Sequence, residues 1–330
     1  MVTLGIVLCA SAAAQTGLIV DHHYVAEAVK RGAIIWDVRA EGDYRRGHIP
    51  GAVSIGDAGQ TLRNPNTEDF IAHDQLEKIL GQAGIDPARE IVVYGARASV
   101  IAYFGLYTTR YFGGDNTRVY HDGIDGWRAA GQPLATFSAK LSPIALKLTP
   151  RGDNYVSTRD VIARLKDANV QLLDVRTPKE FAGEDIRAIR GGHIPGAVNI
   201  PYEQNWVDPD SAAKLARRQV ADNVGMSLKP REQLQALYSK LDPNKETIVY
   251  CQSGVRAAET ATVLAELGFK NVKVYDSSWL GYGSTLDAPA QNAVFLNVGA
   301  LNNRIGAMQS RIDALEKELA NARNPNPARP

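Results

Sequence analysis

The sequence predicts an α/β protein of two similar domains, each a mostly parallel sheet with helices on both faces, followed by a long C-terminal helix. Three observations carry this reading. A chain of 330 residues is too long for one ordinary core and long enough for about two domains of roughly 100 to 200 residues. Short β-branched runs alternate with helix-forming segments, the pattern of βα units. The run ending in Asp37-Val38-Arg39 is answered by a second ending in Asp174-Val175-Arg176, so the pattern occurs twice.

Composition narrows the function classes. Hydrophobic residues make up 45% and charged residues 22%, enough to bury a sizeable core and unlike a disordered chain. With 37 Lys+Arg against 36 Asp+Glu there is no broad positive field, so no nucleic-acid partner is expected. No apolar run approaches the roughly 20 residues that span a bilayer, so no membrane span is expected.

Residues Val2 to Ala14 are apolar or small and uncharged and end in Ala12-Ala13-Ala14, which fits a signal peptide over residues 1–14 that lacks a basic leading region. A periplasmic or secreted location follows, with a cytoplasmic one and a buried first strand or frayed terminus as the alternative. Leu8 before Cys9 argues against a lipoprotein signal. Cleavage after Ala14 would leave Cys251 as the sole cysteine and exclude intrachain disulfides.

The elements of the first copy follow in order. Asp21 caps a helix running to Arg31. Ile34 to Arg39 reads as a buried strand, and Gly47-His48-Ile49-Pro50-Gly51-Ala52-Val53 as a tight Pro-Gly turn. Ile91-Val92-Val93-Tyr94 is a second strand, followed by a helix. Residues 135–155, with Pro143, Pro150 and the turn-like Arg151-Gly152-Asp153-Asn154, read as a linker. The second copy repeats the plan: Ser157 caps a helix to Lys166, Gln171 to Arg176 is a strand, Gly192 to Val198 repeats the turn, and Thr247 to Tyr250 repeats the second strand.

The copies part company after that second strand. Cys251-Gln252-Ser253-Gly254-Val255-Arg256 leads into a helix that runs to Leu267 and is closed by Gly268. A loop between a parallel strand and a helix N-terminus turns several N–H groups toward one point, and the helix dipole adds positive charge, so a thiolate is favoured there. Gly254 lets the loop curl around the sulfur, and Arg256 offers a permanent cation. An isolated cysteine after an apolar strand is otherwise a small buried hydrophobe; the Ser, Gly and Arg that follow Cys251 favour the nucleophile, which must then be reachable by a substrate.

On these residues the chain resembles the rhodanese superfamily, specifically the tandem-domain thiosulfate and 3-mercaptopyruvate sulfurtransferases, over about residues 17 to 285. The resemblance rests on Asp174-Val175-Arg176, Gly192 to Ala197, Cys251 to Arg256 and the closing segment Tyr275-Asp276-Ser277-Ser278-Trp279; Tyr120 to Trp127 closes the first copy in the same way. It implies an inactive rhodanese-like domain over 17–134, where Gly95 stands at the position of Cys251, and a catalytic domain over 156–290. It further implies that Cys251 takes a sulfur atom from thiosulfate or 3-mercaptopyruvate as a persulfide and passes it to cyanide or a thiol, with no cofactor or metal. The alternatives are a non-catalytic sulfur-binding or scaffold module and a cysteine phosphatase. Related phosphatases enclose phosphate with a loop one residue longer than the four between Cys251 and Arg256. Arsenate reduction lacks a second, resolving cysteine.

The substrate-binding candidates are Gln252, Ser253, Gly254, Val255 and Arg256, with Arg190 as a further cation if it reaches the cleft. The repeated Asp37/Arg39 and Asp174/Arg176 pairs, His48 and His193 read as structural, because they recur in the inactive copy. His22 and His23 have no supporting ligand spacing. Trp279 and Tyr282 suit either the cleft wall or the core.

Beyond the copies, Val294, Val298, Leu301, Ile305, Met308, Ile312, Leu315 and Leu319 are spaced alternately four and three residues apart, a heptad seam over 294–322. Mainly β-branched residues at the a positions, and Arg311 able to meet Glu316 of a second copy, point to a parallel homodimer; the other reading is a helix packed on its own domain. Residues 323–330, rich in Asn and Pro, are expected to be disordered.

Overall fold

A computed structural model describes residues 17–323. The signal-like stretch 1–14, Cys9 and the tail from residue 324 lie outside the described residues. Alternating strands and helices build two parallel sheets. In the first, β1 (Ile19–Val20), β2 (Ile34–Asp37), β3 (Val53–Ser54), β4 (Ile91–Tyr94) and β5 (Thr117–Tyr120) lie in the order β1-β5-β4-β2-β3. In the second, β6 (Val170–Asp174), β8 (Val198–Asn199), β9 (Glu246–Tyr250) and β10 (Asn271–Val274) lie in the order β10-β9-β6-β8, all parallel. A ribbon of β7 (Arg190–His193) and β11 (Gln291–Phe295) runs antiparallel beside it.

Strand alternation decides which side chains meet. Ile34, Trp36, Ile91 and Val93 face one way and Ile35, Val92 and Tyr94 the other. In the second sheet Leu173, Val175, Val249 and Cys251 share the first of these cores, whereas Leu172, Ile248 and Tyr250 line an outer one. The inner faces of both sheets, with the helices Val100–Tyr111 and Val255–Leu267, therefore form one continuous apolar core across the two repeats. Cys251 points into that shared side.

Residues 135–155 hold no helix or strand and are strapped along the first repeat: Ile144 N–H donates to Gly81 O at 2.9 Å, and Leu148 N–H to Glu77 Oε1 at 2.8 Å.

The C-terminal helix spans Val298–Arg323. Two expectations are corrected here. Val294 does not begin the helix, because it sits in β11 paired with Gly191, and the helix starts only after Asn297, whose Oδ1 accepts the Ala300 N–H at 2.9 Å. Arg323 ends the helix rather than opening a disordered tail. From Val298 to Leu319 the heptad residues are 41 to 65% exposed, and none of the helix is buried, so it does not pack on its own domain.

Candidate active site

The strand β9 ends at Tyr250 and delivers Cys251 to a sharp loop. Gly254 stands there at φ +82°, where a Cβ would lie 2.5 Å from Asp276 Oδ1, so both backbone conformation and space demand glycine. The closing segment holds the loop from below. Ser278, itself at φ 47°, accepts the N–H groups of Cys251 and Gly254 on its Oγ at 3.0 Å each and donates to Tyr275 O at 2.6 Å. Trp279 N–H reaches Cys251 O and Leu280 N–H reaches Gln252 O, at 3.0 and 2.9 Å. Among the described residues, the N–H groups of Gln252, Ser253, Val255, Arg256 and Ala257 have no protein acceptor. Five unpaired donors on one strand-to-helix turn make an anion-accepting concavity.

Three predicted roles change. Arg256 enters the site already paired: its Nη1 and Nη2 donate to Glu180 Oε2 and Oε1 at 2.9 and 2.8 Å. Burial alone would weaken its hold on a proton, but the bonds to Glu180 and the charge of Cys251 outweigh that and raise it. Burial acts to raise the Glu180 carboxyl, yet its bonds to Arg256 and Thr177 hold it at about 2, so the pair is ionised across the ordinary pH range. Arg190 does not reach the cleft. It is buried, and its guanidinium donates to the carbonyls of Gly283, Tyr282, Thr285 and Ala288, so its charged fork clamps the chain after the closing segment. Finally, Cys251 is only 1% exposed, so the sulfur is covered in this conformation rather than open to a donor. Gln252 and Ser253 are buried beside it, with Gln252 Nε2 donating to Arg187 O at 2.7 Å.

The repeated pairs sit away from the sulfur chemistry. Arg176 donates to both oxygens of Asp174 and to Gly192 O at 2.7 Å, as Arg39 does to Asp37 and to Gly47 O at 2.8 Å; each pair ties a sheet end to its Pro-Gly turn. His48 Nδ1 and His193 Nδ1 meet the carbonyls of Tyr44 and Phe181. Trp279 and Tyr282 are core residues.

Sequence reasoning missed Glu180, Glu259 and Arg63. Thr177 and Glu180 form a capping box, a spacing visible in the sequence, although it announces a helix start and not the partner of Arg256. Glu259 is fully buried: its Oε1 accepts Trp206 Nε1–H at 3.0 Å, its Oε2 has no partner, and burial pushes it up to about 8.

This arrangement of two α/β repeats, one keeping a cysteine in a donor-lined loop, has known counterparts. The family model of the rhodanese-like domain matches residues 21–130 and 157–285. The chain belongs to the rhodanese family. It is 33% identical over 262 residues to a thiosulfate sulfurtransferase of Corynebacterium glutamicum, covering 75% of this chain and 81% of that protein. It is 31% identical over 261 residues to the sulfur carrier protein TtuD of Thermus thermophilus, covering 74% and 86%. Among solved structures it is similar to an anaerobic ergothioneine biosynthesis enzyme from Chlorobium limicola, with a TM-score of 0.69 at 20% identity, over 83% of this chain and 70% of that one; that likeness is one of fold. As a rhodanese-family chain with such relatives, it is a sulfurtransferase.

Proposed function

We propose that the enzyme moves a sulfane sulfur from thiosulfate, through a persulfide on Cys251, to a thiophilic acceptor such as cyanide or a small thiol. The observation that carries this is the loop that follows Cys251, whose N–H groups without a protein acceptor lie at a strand-to-helix turn and are available to one anionic sulfur. The Cys251 thiolate attacks the outer sulfur of the donor. A new S–S bond forms, the donor's own S–S bond breaks, and its electron pair leaves on sulfite. Cyanide or a thiolate then attacks the terminal sulfur and returns the electron pair to Cys251. Because the sulfur is covered, a donor enters only when the side chains over it part, and the site then shields the reacting anion from water. With Arg190 and Arg256 both paired, attraction of a dianion does not distinguish the donors; the relatives' names support thiosulfate. The neutral Gln252 and Ser253 keep 3-mercaptopyruvate as the second reading: there the donor's C–S bond breaks, its electron pair leaves on the enolate of pyruvate, and the enolate takes a proton from water.

Thiosulfate, cyanide and enzyme are expected to yield thiocyanate, with a drop of about 10³-fold or more in Cys251→Ala. Thiosulfate alone is expected to add one sulfur, about 32 Da, which cyanide removes and Cys251→Ser does not acquire. Equal turnover by Cys251→Ala would end the proposal, and efficient hydrolysis of an aryl phosphate would move the site to the phosphatases.

The exposed heptad stripe supports a parallel homodimer. A sedimentation mass of two chains for residues 17–330 and of one for a chain ending at Phe295 is expected; a monomeric longer chain rejects it. Export rests on the stretch 2–14, and a periplasmic chain still carrying Met1 would count against cleavage.

A further inference from the structure

We propose that Arg63, in the repeat without a nucleophile, is a positioning residue for the sulfur-carrying loop of the other repeat, holding the Ser253–Gly254 peptide so that its carbonyl faces away from Cys251. The inference rests on Cys251 as the sulfur carrier and goes beyond it by giving the silent repeat a part in the reaction.

Arg63 is presented by a tight loop, Leu62 to Ile71, closed by Asn64 N–H to Asp69 O at 2.8 Å, by Ile71 N–H to Leu62 O at 3.1 Å, and by the bridge between Arg63 and Phe70. Its side chain is 5% exposed and lies 4.9 Å over the ring of Phe104, so it enters the shared core instead of solvent. There Nη2 donates to Ser253 O at 2.6 Å and Nη1 to Asp276 Oδ1 at 3.2 Å. The same loop makes a second crossing, Ser277 Oγ–H to Asp69 Oδ1 at 2.8 Å. Arg63 Nε is buried without a partner, a cost that a merely packed side chain at this place would not carry.

The Ser253–Gly254 peptide is thereby fixed at both ends: Arg63 holds its carbonyl, and Ser278 Oγ accepts its N–H at 3.0 Å. Rotation of that peptide would swing a carbonyl lone pair toward the sulfur, in among the unpaired donors of the loop. A carbonyl beside a thiolate or persulfide anion repels the charge that the loop exists to stabilise. The guanidinium suits this task because its planar fork spans two acceptors at fixed angles, which an ammonium group does not.

The test compares wild type, Arg63→Met and Arg63→Lys in the thiosulfate–cyanide reaction and in single-turnover loading of sulfur onto Cys251, followed by mass. Arg63 touches the loop and not the donor, so kcat is expected to fall about 10- to 100-fold in Arg63→Met, the factor one charge-assisted hydrogen bond is worth. KM for thiosulfate should stay within about twofold. Arg63→Lys should lie between. Asn223→Ala serves as the control for interdomain stability, because Asn223 joins Arg97 and Asp125 across the interface without touching the loop; it is expected to lower the melting temperature and leave kcat unchanged. A folded Arg63→Met with wild-type kcat, or with its loss confined to KM, overturns the proposal. Should Arg63→Met not fold, wild-type kcat in Arg63→Lys overturns it equally. If the wild type takes up no sulfur, the reading of Cys251 fails instead, and this shows before any variant is measured.

Discussion

At Ala98 and Gly254 the two strand-to-helix loops turn through the left-handed region, at φ 57° and 82°, and both are closed by the segment after the next strand: Ile124 N–H to Gly95 O at 2.9 Å, and Trp279 N–H to Cys251 O at 3.0 Å. Their donors meet different ends. In the first loop the Arg97 N–H is taken by Asp125 Oδ2 at 2.9 Å, and the Arg97 side chain by Asp122 and Asn223. The matching Ser253 N–H has no protein acceptor. The first loop's donor is taken by the protein's own carboxylate, whereas the matching donor of the second is left without a protein acceptor. The first repeat thus differs from the second both in its missing cysteine, with Gly95 at that place, and in the carboxylate seated on its loop. Its backbone keeps the same strand-to-helix turn, and its sheet shares one apolar core with the second.

The largest effect that would sharpen this contrast concerns the cation of the second loop. Glu180→Gln removes the counter-charge of the largely buried Arg256 and is expected to cost about 3 kcal/mol in urea unfolding. Asp43, at the matching place in the first repeat, pairs with Arg46 on the surface, and Asp43→Asn should change stability by less than about 0.5 kcal/mol. Similar costs for the two would dissolve the distinction.

A smaller effect tests whether the first loop can be revived. A Cβ at Gly95 would lie 2.6 Å from Ser99 Cβ and Oγ, so Gly95→Cys should destabilise by about 1 to 3 kcal/mol through overpacking. Combined with Cys251→Ser, it should take up no sulfur from thiosulfate. Persulfide at residue 95 would show that Asp125 does not block the site.

The smallest concerns the helices behind the loops, where Tyr103 of the first, bonded to His121 at 2.8 Å, corresponds to Glu259 of the second. Burial raises Glu259 from an ordinary 4.5 to about 8. Between those values the folded protein keeps a proton that the unfolded chain has released, so this group makes stability fall as pH rises through that window. Glu259→Gln should flatten that fall and raise stability near pH 8 by about 1 kcal/mol or more. An unchanged pH profile would mean that Glu259 is ionised in the fold.

Much of the fold was legible because its signals are local. Ile34 to Trp36 and Ile91 to Tyr94 are uninterrupted runs of β-branched and aromatic residues, the pattern of buried parallel strands, and Gly254 stands where only glycine fits. The short strands Thr117–Tyr120 and Asn271–Val274 were not legible, since Arg118, Lys273 and Asn271 break the apolar run. At the site, Cys251 and its loop could be located from strand, glycine and helix, but the fate of the charges could not. Arg190 and Arg256 read alike as free cations, yet one closes on four carbonyls and the other on a carboxylate 76 residues away.

From sequence alone came the duplication, the parallel α/β plan, the candidate nucleophile and the heptad stripe, all of which depend on residue type at short, regular spacing. Tertiary structure alone decided which charges are neutralised, that the sulfur is covered, and that Arg63 crosses from one repeat to the loop of the other. A hydrogen bond is set by a few tenths of an ångström between atoms far apart along the chain, and no local pattern specifies that distance.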